Sequence, residues 1–205
     1  MREESPGFPS NTVWDRLYTA AAGSRARRSA QTALHHVTRT LLHLMAPVMS
    51  FTAEEAWAVV SPADPSIFVG EWTRVAPSEA AGDALAPKWR RLREIRGEVA
   101  RVLEELRKNG AIGSSLQAEI AIAAPEADHA LLASLGDDLR FVMITSAVSI
   151  QHGDTLSISA VSSAKPKCER CWHYRADVGA RTEHPSLCGR CVANLFGSGE
   201  PRDHA

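Results

Sequence analysis

Cysteine is scarce and confined. The chain of 205 residues has four, all of them between positions 168 and 191. A disulfide-dense miniprotein is thereby excluded, since nothing elsewhere is available to cross-link. Long apolar runs are missing too. The richest window, Leu41 to Phe51, is broken by His43 and Pro47 and falls far short of the ~18 residues of a membrane span. The N-terminus, Met1-Arg2-Glu3-Glu4 followed by Ser5 to Pro9, has no apolar h-region. No secretory signal is expected there; the expected setting is cytoplasmic, without a membrane partner. Nor is there a phosphate cradle, because Gly110-x-x-Gly113 lacks the Gly-Lys-Ser/Thr ending and a preceding strand. Ser114 and Ser115 lack the setting of a hydrolase nucleophile. His36 and His43 share a helix face with no carboxylate beside them. No catalytic residue is expected. The remainder, 44% hydrophobic and 23% charged, is ordinary globular composition, neither disordered nor collagen-like. Its length suits one large domain or two small ones.

The net charge of −1 hides a segregation. Residues 24–46, 88–108 and 165–205 carry +4, +4 and +2, whereas 47–87 and 109–164 carry −5 each. A polyanionic partner follows if the basic blocks share a face; otherwise they are solvated helix faces.

The periodicity predicts a flexible leader over 1–12, then helices. Val13, Trp14, Leu17 and Tyr18 mark a short one. Ala30, Ala33, Leu34, Val37, Leu41, Leu44 and Met45 mark a long one that Pro47 ends. A third starts at Thr52, with Glu55 in the capping pattern, and stops near Ser61-Pro62. Ile67 to Trp72 is an extended piece. The fourth runs from Pro87 to Lys108 with the stripe Trp89, Leu92, Ile95, Val99, Val102, Leu103 and Leu106, closed by Asn109-Gly110. Alternation from Leu116 to Ile122 predicts a strand, Pro125 to Leu135 a helix, and Phe141 to Ile150 and Thr155 to Val161 two more strands around a turn at 152–154. The expected organisation is mainly α: a helical bundle over 13–109, a small α+β junction domain over 110–162 and a cysteine-bearing module over 163–205.

The cysteines form two Cys-x-x-Cys pairs, Cys168/Cys171 and Cys188/Cys191, separated by 16 residues. That is zinc-site spacing: two thiolates three positions apart in a tight turn reach one ion at ~2.3 Å, and two such turns complete a tetrahedron. No cysteine is left over. One structural zinc is expected, with Gly189 letting backbone amides approach the sulfurs. With four protein ligands the site is closed, so the metal is not expected to be catalytic. Around it stand Lys165, Lys167, Arg170, Trp172, His173, Tyr174, Arg175 and Arg190. Trp172 either stacks on a nucleobase or caps the miniature core. The bases are candidates for phosphate contact.

Several segments resemble the C-terminal part of bacterial isoleucyl-tRNA synthetases. They are Asp15-Arg16-Leu17-Tyr18-Thr19, Ala26-Arg27-Arg28-Ser29-Ala30-Gln31-Thr32-Ala33, Met45-Ala46-Pro47 and Ser50 to Trp57. Gly70-Glu71-Trp72, Arg96-Gly97-Glu98-Val99, Ile112 to Leu116 and Leu135 to Phe141 follow in order. The most specific is Lys167-Cys168-Glu169-Arg170-Cys171-Trp172-His173-Tyr174 with Cys188-Gly189-Arg190-Cys191. The resemblance implies an anticodon-binding bundle, a junction domain and a zinc module helping to hold the anticodon stem-loop of isoleucine tRNA. Arg25, Arg27, Arg28, Lys167, Arg170, Trp172 and Arg190 are the candidate nucleic-acid contacts. The whole family member ligates isoleucine to its tRNA with ATP. Its Rossmann signatures, His-Ile-Gly-His and Lys-Met-Ser-Lys-Ser, and its editing domain are absent here. The chain is therefore expected to be inactive alone, with ATP bound only through a catalytic domain encoded upstream or separately. Two other readings are a stand-alone zinc-knuckle RNA-binding protein and the finger of a formamidopyrimidine-type DNA glycosylase. For the latter, Met1-Arg2-Glu3 is not the Pro-Glu start, and Trp172 stands where Gly is usual.

Overall fold

The structure, a computed structural model, describes residues 10–72 and 82–202. Most of the expected leader, residues 1–9, lies outside them; from Ser10 onward the backbone is already helical. The described residues fall into two compact units: residues 28–82, and residues 10–27 together with 83–202.

The first unit is built on α2 (Arg25–Met45), most of which it contains, and α3 (Ser50–Val60). Leu42 and Ala46 pack with Ala53, Trp57 and Ile67. Trp57 is the centre of this small core, with the Arg39 guanidinium 4.4 Å over its ring and His43 edge-on at 4.8 Å. Pro47 ends α2 as expected. The expected capping box does not form: α3 begins at Ser50, two residues before Thr52, and Met49 supplies no side-chain cap. Ser50 instead donates its hydroxyl to the Ala46 carbonyl at 3.0 Å, so the tight turn after Pro47 is helical before Thr52 is reached. The expected extended piece opens with a 3-10 turn, Ile67–Val69, capped by Ser66. Glu54 fixes it by accepting from Ser66 Oγ at 3.1 Å and the Ile67 amide at 3.0 Å.

The second unit surrounds a three-stranded sheet of order β2-β1-β3, with β1 Ala118–Ala124, β2 Ala147–His152 and β3 Ser157–Ser162. β1 is central, parallel to β2 and antiparallel to β3, with Ile122 paired to Ile150 and Ile158. Every second residue of β1 is buried, the period of a pleated strand. Helix α4 (Gly82–Lys108) starts earlier than expected and carries Pro87 inside it, giving up one ladder hydrogen bond. Its stripe, Leu92, Ile95, Val99 and Leu103, packs into one core with β1, α5 (Glu126–Ala133) and α6 (Leu139–Met143). That apolar stripe is buried with the sheet. Arg91 adds a bidentate pair to Asp128, at 2.8 and 2.6 Å.

One expected strand is shorter than anticipated. Phe141, Val142 and Met143 belong to α6, closed by Ile144 in the left-handed region, and β2 starts only at Ala147. All three side chains are buried, and a short apolar run buried all round has no period to read. Helix α1 (Ser10–Tyr18) lies against α6. No helix among the described residues is long and apolar enough to cross a membrane.

Candidate metal centre and the cleft beside it

Residues 167–174 form a knuckle. An antiparallel bridge pairs Lys167 with Tyr174, the Cys168 amide donates to the His173 carbonyl at 2.9 Å, and the Trp172 amide donates to the Cys168 carbonyl at 2.9 Å. The loop turns tightly, which brings Cys168 and Cys171 together. The second pair lies at the start of α7 (Gly189–Phe196), with Cys188 as its extended N-cap residue and Cys191 in the first turn. A backbone amide of this turn does approach a sulfur: the Cys188 N–H donates to Cys168 Sγ at 3.4 Å. Gly189 beside it points its own amide elsewhere. Its N–H donates to Asp177 Oδ2 at 3.0 Å, and a Cβ there would stand 2.9 Å from that oxygen.

The four sulfurs all lie within 4.8 Å of one another, and all four residues are buried. Cys171 Sγ and Cys188 Sγ are 3.7 Å apart. Sulfurs ~2.3 Å from a central zinc stand ~3.8 Å from each other in a tetrahedron, so the cage fits the ion. The thiols act strongly on one another. Hydrogen bonding to Cys188 and Cys191, with burial, pushes the Cys171 thiol far up. Cys188 is held far down by the hydrogen bonds it accepts from Cys171 and Cys191. Cys191 is pushed up to about 12: hydrogen bonding with Cys171 lowers it, but Cys188 and burial outweigh that. Without a cation the cage tolerates little negative charge; a dication removes that restriction.

The module is tied to α1 by a charge network. Arg190 donates to Asp15 at 3.1 and 2.7 Å, to the Thr19 hydroxyl at 2.7 Å and to Glu200 at 2.6 Å. Arg202 also donates to Asp15. Burial raises the Asp15 carboxyl, but the charges of Arg190 and Arg202 and the bonds from Arg190 and Thr19 more than offset it, leaving it below the ordinary carboxylate range. The ring of Phe141 lies beneath three guanidiniums: Arg140 at 4.5 Å, Arg190 at 4.6 Å and Arg202 at 3.7 Å.

The candidate nucleic-acid contacts separate accordingly. Arg190 is not free to meet phosphate, its side chain being 7% exposed and doubly ion-paired. Arg170 is half-engaged, donating to the Thr19 and Tyr18 carbonyls at 2.7 and 2.9 Å. Lys167 is exposed, its ammonium 5.6 Å from the Trp172 ring centroid. Arg25 and Arg28 are exposed in the first turn of α2, and Arg27 is half-buried. Trp172 is 60% exposed, so it does not cap the miniature core. It adopts φ +63°, a conformation costing a bulky residue ~1–3 kcal/mol.

Beside the cage lies an open cleft of about 400 Å³, lined by Trp14 and Tyr18 of α1, by Leu116, Phe141 and Ile144, and by Trp172 and His173. The rings of Trp14 and Tyr18 are stacked, 5.1 Å apart and 13° from parallel. His173 is buried, which lowers its imidazole to about 4 although Asp15 pulls the other way. Its Nδ1 donates to the Cys171 carbonyl at 3.1 Å. The sequence reading missed Asp15 and Arg202 as partners of the module. Asp15 falls inside a motif quoted above; nothing in the sequence marks Arg202.

Comparison with known proteins gives two family matches. One, described as the anticodon-binding domain of tRNA ligase, covers residues 10–122; the other, described as the zinc finger found in FPG and IleRS, covers residues 165–194. Among curated relatives, isoleucine--tRNA ligase of Bordetella pertussis is 56% identical over 99% of this chain and 22% of its own length. The enzymes of that name from Burkholderia vietnamiensis and Thiobacillus denitrificans are 54% and 52% identical, with the same coverage of each chain. The chain thus spans about a fifth of the length of the curated relatives it matches.

Proposed function

The chain belongs to the family of anticodon-binding domains of tRNA ligases, and from that premise we propose that it is the anticodon-holding part of an isoleucine--tRNA ligase. The observation that carries this is the order of matches, helical domain first and zinc finger after it, on a chain that gathers all four thiols at one point. The stand-alone knuckle and the glycosylase finger are not favoured, because neither brings the helical match over residues 10–122.

In this reading one zinc is held by Cys168, Cys171, Cys188 and Cys191 and is structural: it fixes the knuckle and does no chemistry. Trp172 offers a flat, exposed ring for stacking on an unpaired base of the anticodon loop. Lys167 and Arg170 stand near it to meet phosphate. Arg25, Arg27 and Arg28 crowd the first turn of α2 with no acid, where the helix dipole disfavours cations. A phosphate backbone removes that penalty. Such contacts position the RNA without reading its sequence. Isoleucine activation with ATP belongs to the catalytic domain of the whole enzyme, so this chain alone is inactive. Its compartment is the cytoplasm, where isoleucine tRNA is charged.

Titrating the zinc-loaded chain with the anticodon arm of isoleucine tRNA tests this. Binding is expected to be weak and salt-sensitive. Trp172→Ala should weaken it roughly five- to hundredfold with little change in salt slope, since stacking contributes ~1–3 kcal/mol per base. Lys167→Ala should reduce the slope by somewhat less than one unit. Equal affinity for an unrelated hairpin would defeat the tRNA assignment. Isoleucine-dependent pyrophosphate exchange by the repurified chain would defeat its inactivity.

A further inference from the structure

We propose that the outward face of α2 is a self-association surface, on which a second copy of this chain lays its own α2 antiparallel. The inference is independent of the RNA reading above.

Helix α2 is apolar on two opposite sides, and α3 covers one of them. On the covered side Leu42 and Ala46 pack with Ala53 and Trp57, and Arg39 and His43 lie against the Trp57 ring. Helical geometry puts Val37, Leu41 and Leu44 about half a turn away from that row. They stand in water at 47%, 51% and 59% exposure, and Val48, in the turn after the helix, at 85%. The sequence periodicity placed this row in the apolar stripe of the helix, and the fold leaves it bare. A helix apolar on both sides normally lies between neighbours, and contiguous exposed apolar patches mark association sites. With the half-buried Leu34, the row runs 34, 37, 41, 44, 48, at spacings of three and four. That is the seam another α-helix fits.

Charge chooses the occupant and its direction. The positions flanking the seam, Gln31, Ala33, Thr38 and Thr40, are uncharged, so two seams meet without like charges at their edges. Nothing there asks for a partner of opposite charge. Arg25, Arg27 and Arg28 crowd the first turn of α2. Two copies side by side in parallel would bring these arginine clusters together. Antiparallel, each cluster lies toward the other helix's C-terminal end, where the dipole favours cations. A two-fold axis near Leu41 then sets Leu41 against Leu41 and Val37 against Leu44. Four large side chains from each copy make an interface at the small end of the stable range, about 1,200 Å² or less. The expected dimer is therefore weak and concentration-dependent.

Sedimentation equilibrium of the zinc-loaded chain tests this. The parent should pass from one chain to two as its concentration rises over about 1 μM to 1 mM. Leu41→Glu should weaken the pairing at least about tenfold, since two carboxylates then meet at the axis. Leu41 already stands half in water, so the circular dichroism and metal content of that variant should match the parent's. Mixing the Leu41→Glu chain with a Leu41→Lys chain should restore the two-chain species, which a misfolded variant would not do. Val37→Glu combined with Leu44→Lys should pair at least about tenfold more tightly than Val37→Glu combined with Leu44→Glu, because opposite charges meet only when the helices are antiparallel. Equal weakness of those two would overturn the direction proposed. A parent that stays a single chain throughout overturns the proposal and leaves the seam to a segment outside this chain. Association that Leu41→Glu leaves unchanged overturns it too.

Discussion

Residues 28–82 and residues 165–202 are held together by different means. The former closes on Trp57, with Leu42, Ala46, Ala53 and Ile67 around it. The latter has four cysteines at its centre, with only Val178 and Leu187 packed against them as partly buried hydrophobics. Where about forty residues cannot enclose enough apolar surface, coordination and buried ion pairs replace it. The first region is thus sensitive to side-chain volume, the second to charge and metal.

The largest effect expected is from chelation. Metal binding in such sites contributes ~10–16 kcal/mol, so removing zinc, or Cys168→Ser, should unfold residues 165–202 while leaving the 28–82 unit folded. Amide hydrogen exchange resolves the two; simultaneous loss of both would erase the contrast. Trp57→Ala is the converse change. It should cost about 3–5 kcal/mol in the helical unit with zinc still bound, read by thermal unfolding alongside metal analysis. Asp15→Ala leaves Arg190 and Arg202 buried with Glu200 as their remaining shared carboxylate. It should loosen the module from α1 by about 1–3 kcal/mol, less if water enters. Acid should produce a milder version. Because Asp15 has its folded pKa lowered, its contribution is complete above the ordinary carboxylate value near 3.8. It is lost as pH falls below that value through the folded one. The signal of Trp14 and Trp172 should follow that loss before the helical unit responds. The smallest effect belongs to Thr52→Ala: with no capping box formed, stability should shift by less than about 0.5 kcal/mol, against about 1 for a working cap.

How far the sequence foretold the molecule follows the same division. The cage was legible because zinc imposes a spacing that few other devices share, and the four sulfurs meet as the two pairs implied. The long helices were legible from their periods. What escaped was partnership. Helix α4 has an apolar stripe, but a stripe does not say what it covers; β1, α5 and α6 share its core. Arg190 looked like a phosphate ligand because it is one of the bases around the cysteine cluster, inside the second pair; Asp15, 175 residues earlier, pairs with it. Phe141 to Met143 were expected as strand because a run buried on all sides has no amphipathic signature. Trp172 was legible as an aromatic beside bases, whereas its left-handed backbone was not.

The pairing of Asp15 with Arg202 spans 187 positions. On a ribosome, that separation becomes an order of events. Residues 28–82 close mainly on contacts near in sequence and can fold soon after they emerge, while the tail is still untranslated. Helix α1, made earlier, must wait: neither guanidinium that engages Asp15 exists until the cysteine module has been synthesised. Through that interval Asp15 lacks both of its arginine partners, so α1 is made well before the residues that secure it.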